Sequence, residues 1–466
     1  MERHKQKMET PTVVVGGSSS GVGKTIVSTA IMFHLSRMGY RVQPFKVGPD
    51  YIDTSYHEVV CNRPSYNLDV WLMGNNGILK RFYEATSDAD VAVIEGVMGL
   101  FDGVSGKSNF GSTAHVARLL NAPVVLVVDA GKTGGSIAAL IYGFLNFDKK
   151  LCVSGIILNN IASPRHLRII REATRGRVDV PIVGVITRNR VLELKDRHLG
   201  LIPVLENQRS AKKKIISASQ IVSKEIFFDK LKNLEVKKSS PLSPPSSGRG
   251  RKHKAKIAIA KDESFNFYYA DTIECLEKSG AQVVYFSPIK DNKLPEGTSG
   301  IILGGGFPEI LGDKLEKNHY MKKAIVRAAH NGMPIYAECG GLMYLTRNLI
   351  AYKNGKMKKS KMVGLIDADT KMGHRLTLSY TEAENRSHFF RSIRKIRGHE
   401  FHYSQIIDLD KDCNFAYTLK RGNGILDDKD GLVVYNCLAS YMHLHFGGDQ
   451  RLARRIVELS RSYSRR

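Results

Sequence analysis

The stretch TVVVGGSSSGVGKT (12–25) joins a run of β-branched residues to a glycine-rich loop and the opening of a helical pattern. Val13, Val14 and Val15 predict a short buried strand, and 26–38 predicts a helix. Between them, Gly16, Gly17, Gly21 and Gly23 leave the backbone free to turn its N–H groups inward. The order strand, loop, Gly-Lys-Thr, helix is what a phosphate-binding loop requires. The helix N-terminus adds positive potential, Lys24 reaches the outer phosphates, and Thr25 offers a hydroxyl to Mg²⁺. The strict pattern has Gly where Ser18 stands, so the spacing is a variant. A plain Gly/Ser turn has no need of Lys and Thr at the mouth of a helix.

Outward from this loop, VAVIE (91–95), PVVLVVD (123–129) and GIILNN (155–160) predict further buried strands, and 164–175 a helix. Strands alternating with helices argue an α/β fold with a parallel, doubly wound sheet. A Mg²⁺–nucleotide site also needs carboxylates at strand ends. Asp50 follows the predicted strand RVQPFKV (41–47) and Glu95 ends VAVIE, so Thr25, Asp50 and Glu95 form the expected metal set. A second α/β pattern begins at KIAIAKD (256–262) and continues through VVYFSP (283–288), GIILGGG (300–306) and PIYAECGG (334–341). Between the patterns, 206–255 is basic and rich in Ser and Pro, which predicts a linker with an amphipathic piece at 221–234. The expected domains are therefore 10–205 and 256–466, flanking that linker.

The 466 residues are 42% hydrophobic and 25% charged, the profile of a globular chain with two or three domains. No apolar run approaches the roughly 18 residues of a membrane span. The N-terminal MERHKQKMET has no apolar core, so a cytoplasmic protein without a membrane partner is expected. None of the six cysteines falls in a CxxC pair, which excludes a zinc ribbon or a thioredoxin-like motif. The net charge of +25 invites a nucleic-acid reading. Yet 206–256, 353–361 and 451–466 carry +10, +5 and +5, leaving about +5 for the rest of the chain. The charge lies apart from the motifs, so it reads as solvated surface and no nucleic-acid partner is expected.

Nine motifs occur in order: KVGPDYIDTSYH (46–57), RPSYNLDVWLM (63–73), IEGVMGLFDG (94–103), RHLGLIP (197–203), GGGFPE (304–309), ECGGLMYL (338–345), RLTLSY (375–380), GHEFHYS (398–404) and SYMHLHF (440–446). In these the chain resembles the cobyrinic acid a,c-diamide synthase family, which includes the hydrogenobyrinic acid and nickel-sirohydrochlorin enzymes. The resemblance implies an N-terminal part similar to dethiobiotin synthetase-like P-loop ligases. It implies a C-terminal α/β part similar to class I glutamine amidotransferase domains, which carry a Cys nucleophile and a His.

Cys339 follows the apolar PIYAE and precedes Gly340-Gly341, the pattern of a strand-to-helix elbow that exposes a nucleophile to helix N–H groups. The resemblance points to Cys339 as nucleophile and His443 as its base. The N–H of Gly340 and one from the 304–306 turn, centred on Gly305, are the expected oxyanion donors. Where the wider amidotransferase group carries a Glu two residues after the His, this chain has His445, so a Cys–His dyad is expected and the group that orients His443 stays open. GHEFHYS is expected to form a strand pair that structures the glutaminase domain and faces the other active site.

On the ATP side the resemblance implies Gly21, Gly23, Lys24 and Thr25 at the phosphates, Asn159 at the adenine and Asp129 at a strand end. Tyr51, Asp53 and His57 are expected at the substrate's carboxylates, with structural roles the alternative for Tyr51 and Asp53.

A carboxylate does not react with ammonia, because its carbonyl carbon is electron-rich and oxide is a poor leaving group. Phosphorylation by ATP makes an acyl phosphate that ammonia can displace. The expected reaction is amidation of the a and c side chains of cobyrinate, with glutamine, ATP and Mg²⁺, in a homodimer. Nickel-sirohydrochlorin and hydrogenobyrinate are the alternative substrates. A reading of a different class is a P-loop partitioning-type ATPase with an inactive amidotransferase domain. The charge favours it; Cys339 and His443 oppose it.

Overall fold

The structure is a computed structural model that describes residues 10–189, 208–231, 255–353, 355–410 and 412–465. The motif at 197–203 and the second half of the expected linker lie outside the described residues. The chain forms two compact units, Met1–Ser246 and Ser247–Arg466. Among the described residues, no helix is long and apolar enough to cross a membrane.

The first unit is built on a seven-stranded sheet, parallel throughout: β1 (Thr12–Gly17), β2 (Val42–Val47), β3 (Tyr66–Leu68), β4 (Val91–Glu95), β5 (Val124–Asp129), β6 (Val153–Ile161) and β7 (Ile182–Thr187). Their order is β3-β2-β4-β1-β5-β6-β7, so β1 sits centrally. Strands buried on both faces read as continuous apolar runs, and β1 and β4 are buried at every residue. Helix α1 (Lys24–Arg37) follows β1, and α2 (Ile52–Cys61) follows β2. The loops that follow β1, β2 and β4 therefore meet at one sheet edge, where open α/β sheets bind ligands.

The basic stretch at 206–255 is not all linker. Gln208–Ser223 is helical, and Ile215, Ala218, Val222, Ile226 and Leu231 enter the same core as Val13, Val27 and Val93. Composition hid this because the lysines at 212–214 mask the apolar residues between them.

The second unit pairs five parallel strands, in the order Ala281–Phe286, Ala255–Ala260, Gly300–Leu303, Ile335–Glu338, Cys437–Ser440. The sheet continues antiparallel through Lys429–Val434, Phe415–Arg421 and Ile366–Asn385. GHEFHYS lies within a single strand, Lys395–Ile407, which pairs with Ile366–Asn385 and with the short strand His443–Leu444. The expected strand pair is one strand, and it runs beside His443.

The basic segments have local explanations. Lys353 and residues 355–361 fall in the hairpin of strands Thr346–Lys353 and Lys356–Lys361, where Lys353 and Lys358 pair with Asp313, and Lys359 with Asp369. The arginine-rich C-terminus is the amphipathic helix Arg451–Ser464, which buries Leu452, Ala453, Ile456 and Val457 against the sheet. Burial of Leu, Ile or Val is worth about 1.5–3 kcal/mol each, against total stabilities of about 5–15 kcal/mol. Deletion of 451–466 is therefore expected to unfold the second unit, seen as loss of its cooperative thermal transition. A truncated chain that keeps its melting temperature would contradict this packing.

Candidate active sites

In the first unit the loop between β1 and α1 turns on Gly21 (φ 75°) and Gly23 (φ 96°), conformations that favour glycine. At Gly23 a Cβ would stand 2.4 Å from Asn159 Nδ2, so no side chain fits. Asn159 Nδ2 donates to Val22 O at 2.9 Å. The residue expected at adenine thus also pins the phosphate loop from below.

Lys24 donates to Ser19 O at 3.0 Å and to Met98 O at 2.5 Å, across the loop mouth. Met98 is held at φ 47°, a strained value for a side-chain-bearing residue. Burial, helped by the nearby Lys46 cation, lowers the Lys24 pKa to about 8, against the pull of Glu95, Asp53 and Asp102. A cation this desolvated gains when phosphate oxygens arrive.

Thr25 Oγ1 donates to Glu95 Oε1 at 2.7 Å and stands 3.4 Å from Asp53 Oδ1. Lys46, near the end of β2, places its Nζ 2.8 Å from Glu95 Oε1 and 2.6 Å from Asp53 Oδ2, and donates to Gly96 O at 3.0 Å. Burial disfavours the Lys46 charge, but Asp53, Glu95 and Asp50 outweigh it and hold the pKa above its ordinary value. For Glu95, burial is likewise outweighed by Lys46 and His57, and the carboxyl stays well below the usual range. Asp53 moves the other way: burial and the adjoining Asp50 and Glu95 charges raise it.

This geometry redistributes the expected roles. Asp50 Oδ1 accepts the N–H groups of Ile52 (2.7 Å) and Asp53 (2.9 Å), capping α2. It is Asp53, one helical turn on, that stands beside Thr25. His57 is fully buried rather than turned to a substrate, with Nε2 2.7 Å from Glu95 Oε2 and Nδ1 3.0 Å from Ser65 Oγ. Tyr51 precedes α2 and is half-buried. Asp129 accepts from Gly131 N and Asn160 Nδ2, both at 2.9 Å. Lys46 was missed from sequence, because a single Lys in an apolar strand carries no local signature.

In the second unit Cys339 joins strand Ile335–Glu338 to helix Gly340–Leu345 at φ 47°, ψ −98°, the strained turn of a nucleophile elbow. Small neighbours make the elbow possible: a Cβ on Gly341 would stand 2.2 Å from Leu303 O, and one on Gly340 3.0 Å from Gly306 N. The 304–306 turn therefore packs directly on the elbow. Gly304 N–H is taken by Tyr268 Oη at 2.8 Å. Gly305 lies against His443, whose Cε1 would be 2.6 Å from a Cβ there.

His443 is fixed by its strand and by Asp430, which accepts the N–H groups of Tyr441 and Met442, both at 3.0 Å. Its ring lies beside the Cys339 thiol, whose Sγ also stands 3.8 Å from Phe401 O. Burial lowers the His443 pKa, but the Cys339 and Glu338 contacts outweigh it and raise it to about 10. His399 stacks on the ring with centroids 4.9 Å apart, so GHEFHYS borders this site. Burial, with the nearby His443 and His445, keeps the His399 pKa well below its ordinary value.

His445 lies against a different acid: its Nε2 is 3.6 Å from buried Asp271 Oδ2. The expected dyad has a carboxylate beside it all the same. Glu338 Oε2 stands 3.4 Å from His443 Nδ1. The arrangement can generate a thiolate next to backbone donors, the requirement for attack on a carboxamide.

Two family models match the chain in order. The CobQ/CobB/MinD/ParA nucleotide binding domain matches residues 13–202, and the CobB/CobQ-like glutamine amidotransferase domain matches 256–451. The cobyrinate a,c-diamide synthase of Methanosarcina barkeri is 40% identical, over 99% of both chains. That of Caldanaerobacter subterraneus subsp. tengcongensis is 41% identical, over 97% of this chain and 99% of its own. The hydrogenobyrinate a,c-diamide synthase of Streptomyces coelicolor is 37% identical, over 97% of this chain and 98% of its own. With both halves matched and nearly the full length covered, the chain belongs to the family of cobyrinate and hydrogenobyrinate a,c-diamide synthases, ATP-dependent ligases that hydrolyse glutamine.

Proposed function

We propose that this protein amidates the a and c side-chain carboxylates of cobyrinate, in the cytoplasm, through acyl phosphates and with ammonia cut from glutamine. The observation that carries this reading is the presence of two chemically distinct sites in one chain. One has a thiol, an imidazole and backbone donors; the other has a phosphate loop with a paired-carboxylate cluster.

In the second unit, His443 takes the thiol proton of Cys339. The thiolate attacks the glutamine carboxamide, and N–H groups of Gly340 and Gly305 receive the oxyanion. Ammonia leaves, and water then releases glutamate from the thioester. In the first unit, Lys24 and the loop N–H groups hold the ATP phosphates. A substrate carboxylate oxygen attacks the γ-phosphorus and ADP departs. Ammonia attacks the acyl carbon, and phosphate leaves with the former carboxylate oxygen.

The hydroxyl of Thr25 with the carboxylates of Asp53 and Glu95 is an all-oxygen donor set, which suits Mg²⁺. Mg²⁺ bound there with ATP supplies charge neutralisation at the phosphates. Asp53→Asn is expected to lower ATP-dependent amidation at least about 100-fold and to raise the Mg²⁺ concentration for half-maximal rate. Asp50→Asn is expected to cost about 10-fold or less, because Asn caps helices as well as Asp. Initial rates across a Mg²⁺ series measure both. Equal losses would contradict the assignment of Asp53 over Asp50.

The substrate is tested by supplying cobyrinate, hydrogenobyrinate and nickel-sirohydrochlorin separately with glutamine and MgATP, and weighing the products. Two amidations are expected, fastest on cobyrinate. Two amidations on none of the three would overturn the reading, and a faster rate on another tetrapyrrole would reassign the substrate.

A further inference from the structure

The acid that steadies the histidine in the wider amidotransferase group is absent from position 445. That residue is His445, and it is committed to Asp271. The carboxylate beside His443 comes instead from the residue immediately before the nucleophile.

We infer that Glu338 is the third member of the glutaminase relay, a positioning residue that holds His443 through Nδ1. Strand Ile335–Glu338 runs parallel to Cys437–Ser440, with Glu338 level with Ser440. The chain then turns back from Ser440 to bring His443 over the same strand end. Glu338 is 7% and His443 1% exposed, so water does not screen their contact.

The Glu338 carboxylate is itself held. Oε1 accepts the Tyr336 O–H at 2.6 Å and the Leu444 N–H at 3.0 Å, which leaves Oε2 directed at Nδ1. The 3.4 Å separation is long for a hydrogen bond, as relay contacts often are before substrate binds. A carboxylate at Nδ1 keeps the proton of the neutral ring there, and leaves Nε2 as the base for Cys339. It also stabilises the imidazolium once the thiol proton has moved. His399, stacked on one face of the ring, confines it to this plane.

The inference rests on Cys339 being the glutaminase nucleophile. That reading fails separately if iodoacetamide labelling of Cys339 in the wild type leaves glutamine-driven amidation intact.

The test compares wild type, Glu338→Asp and Glu338→Gln. Gln keeps the volume and one oxygen acceptor for Tyr336 and Leu444, but removes the charge and sets an NH2 donor where Oε2 faced Nδ1. Glutaminase kcat is expected to fall about 100-fold in Glu338→Gln, with KM for glutamine unchanged and ammonium-driven amidation retained. The alkylation rate of Cys339, followed by peptide mass spectrometry, is expected to fall with it. Glu338→Asp is expected to lie between the two in both measurements. Wild-type kcat and alkylation in Glu338→Gln, or a loss confined to melting temperature or KM, would overturn the inference. If Glu338→Gln is not recovered folded, the same two measurements on Glu338→Asp decide: values equal to wild type overturn it.

Discussion

Cys339→Ala is expected to abolish amidation driven by glutamine while leaving amidation driven by ammonium salts near the wild-type rate. The thiol is the only group at the elbow with the geometry to form a thioester, so its loss removes the covalent route entirely. Removing a triad nucleophile leaves only the residual rate that binding and oxyanion donors supply, a loss on the order of 10³–10⁶. The elbow itself should survive. Its strain is held by the strands either side, by Cys339 N–H donating to Ser440 O at 2.7 Å, and by the close approach of Gly341 to Leu303. Ala fits the small volume of Cys. The check is a pair of initial rates, with glutamine and with ammonium chloride at a pH that supplies free ammonia. Loss of both would mean that Cys339 supports the fold of the unit rather than its chemistry. Retention of both would give the inactive-domain reading new force.

Lys24→Ala is expected to produce the opposite pattern: no amidation from either nitrogen source, with glutamine hydrolysis still measurable. Lys24 is nearly buried, bonded to the backbone carbonyls of Ser19 and Met98, and partly stripped of its proton affinity by burial. Among the described residues it pairs with no carboxylate at hydrogen-bond distance, so its removal strands no buried anion there. The loss should therefore be of transition-state charge stabilisation rather than of fold, about 10³-fold or more. Rates of ATP-dependent product formation, with a thermal melt as control, measure it. A variant that still amidates within about 10-fold of wild type would contradict the assignment of this loop as the ATP phosphate site.

How much of this was legible in the sequence depends on whether a feature is local. The phosphate loop was legible because strand, glycines, Lys24, Thr25 and helix are contiguous. The Cys339 elbow was legible for the same reason. Asp50 against Asp53 was not, since both lie in one motif and only the first turn of α2 decides which faces Thr25. His57 looked like a substrate contact but is buried under Glu95, one helical turn beyond Asp53. Lys46 and Glu338 were missed because their partners lie 49 and 105 positions away in the chain. In Glu338 the sequence misled more actively. The habit of seeking the acid after the histidine drew attention to His445, while the carboxylate stood beside the cysteine. The basic segments concealed packing, since charge composition does not reveal the apolar face of the helix at 451–464.

The central claim is that one chain activates a carboxylate with ATP and delivers glutamine nitrogen to it. It is tested most directly by following oxygen. Cobyrinate labelled with ¹⁸O in its carboxylates is incubated with MgATP and glutamine, and the inorganic phosphate is analysed by mass. One labelled oxygen is expected in phosphate for each amide formed, through both amidations. Amide formation with unlabelled phosphate would contradict it.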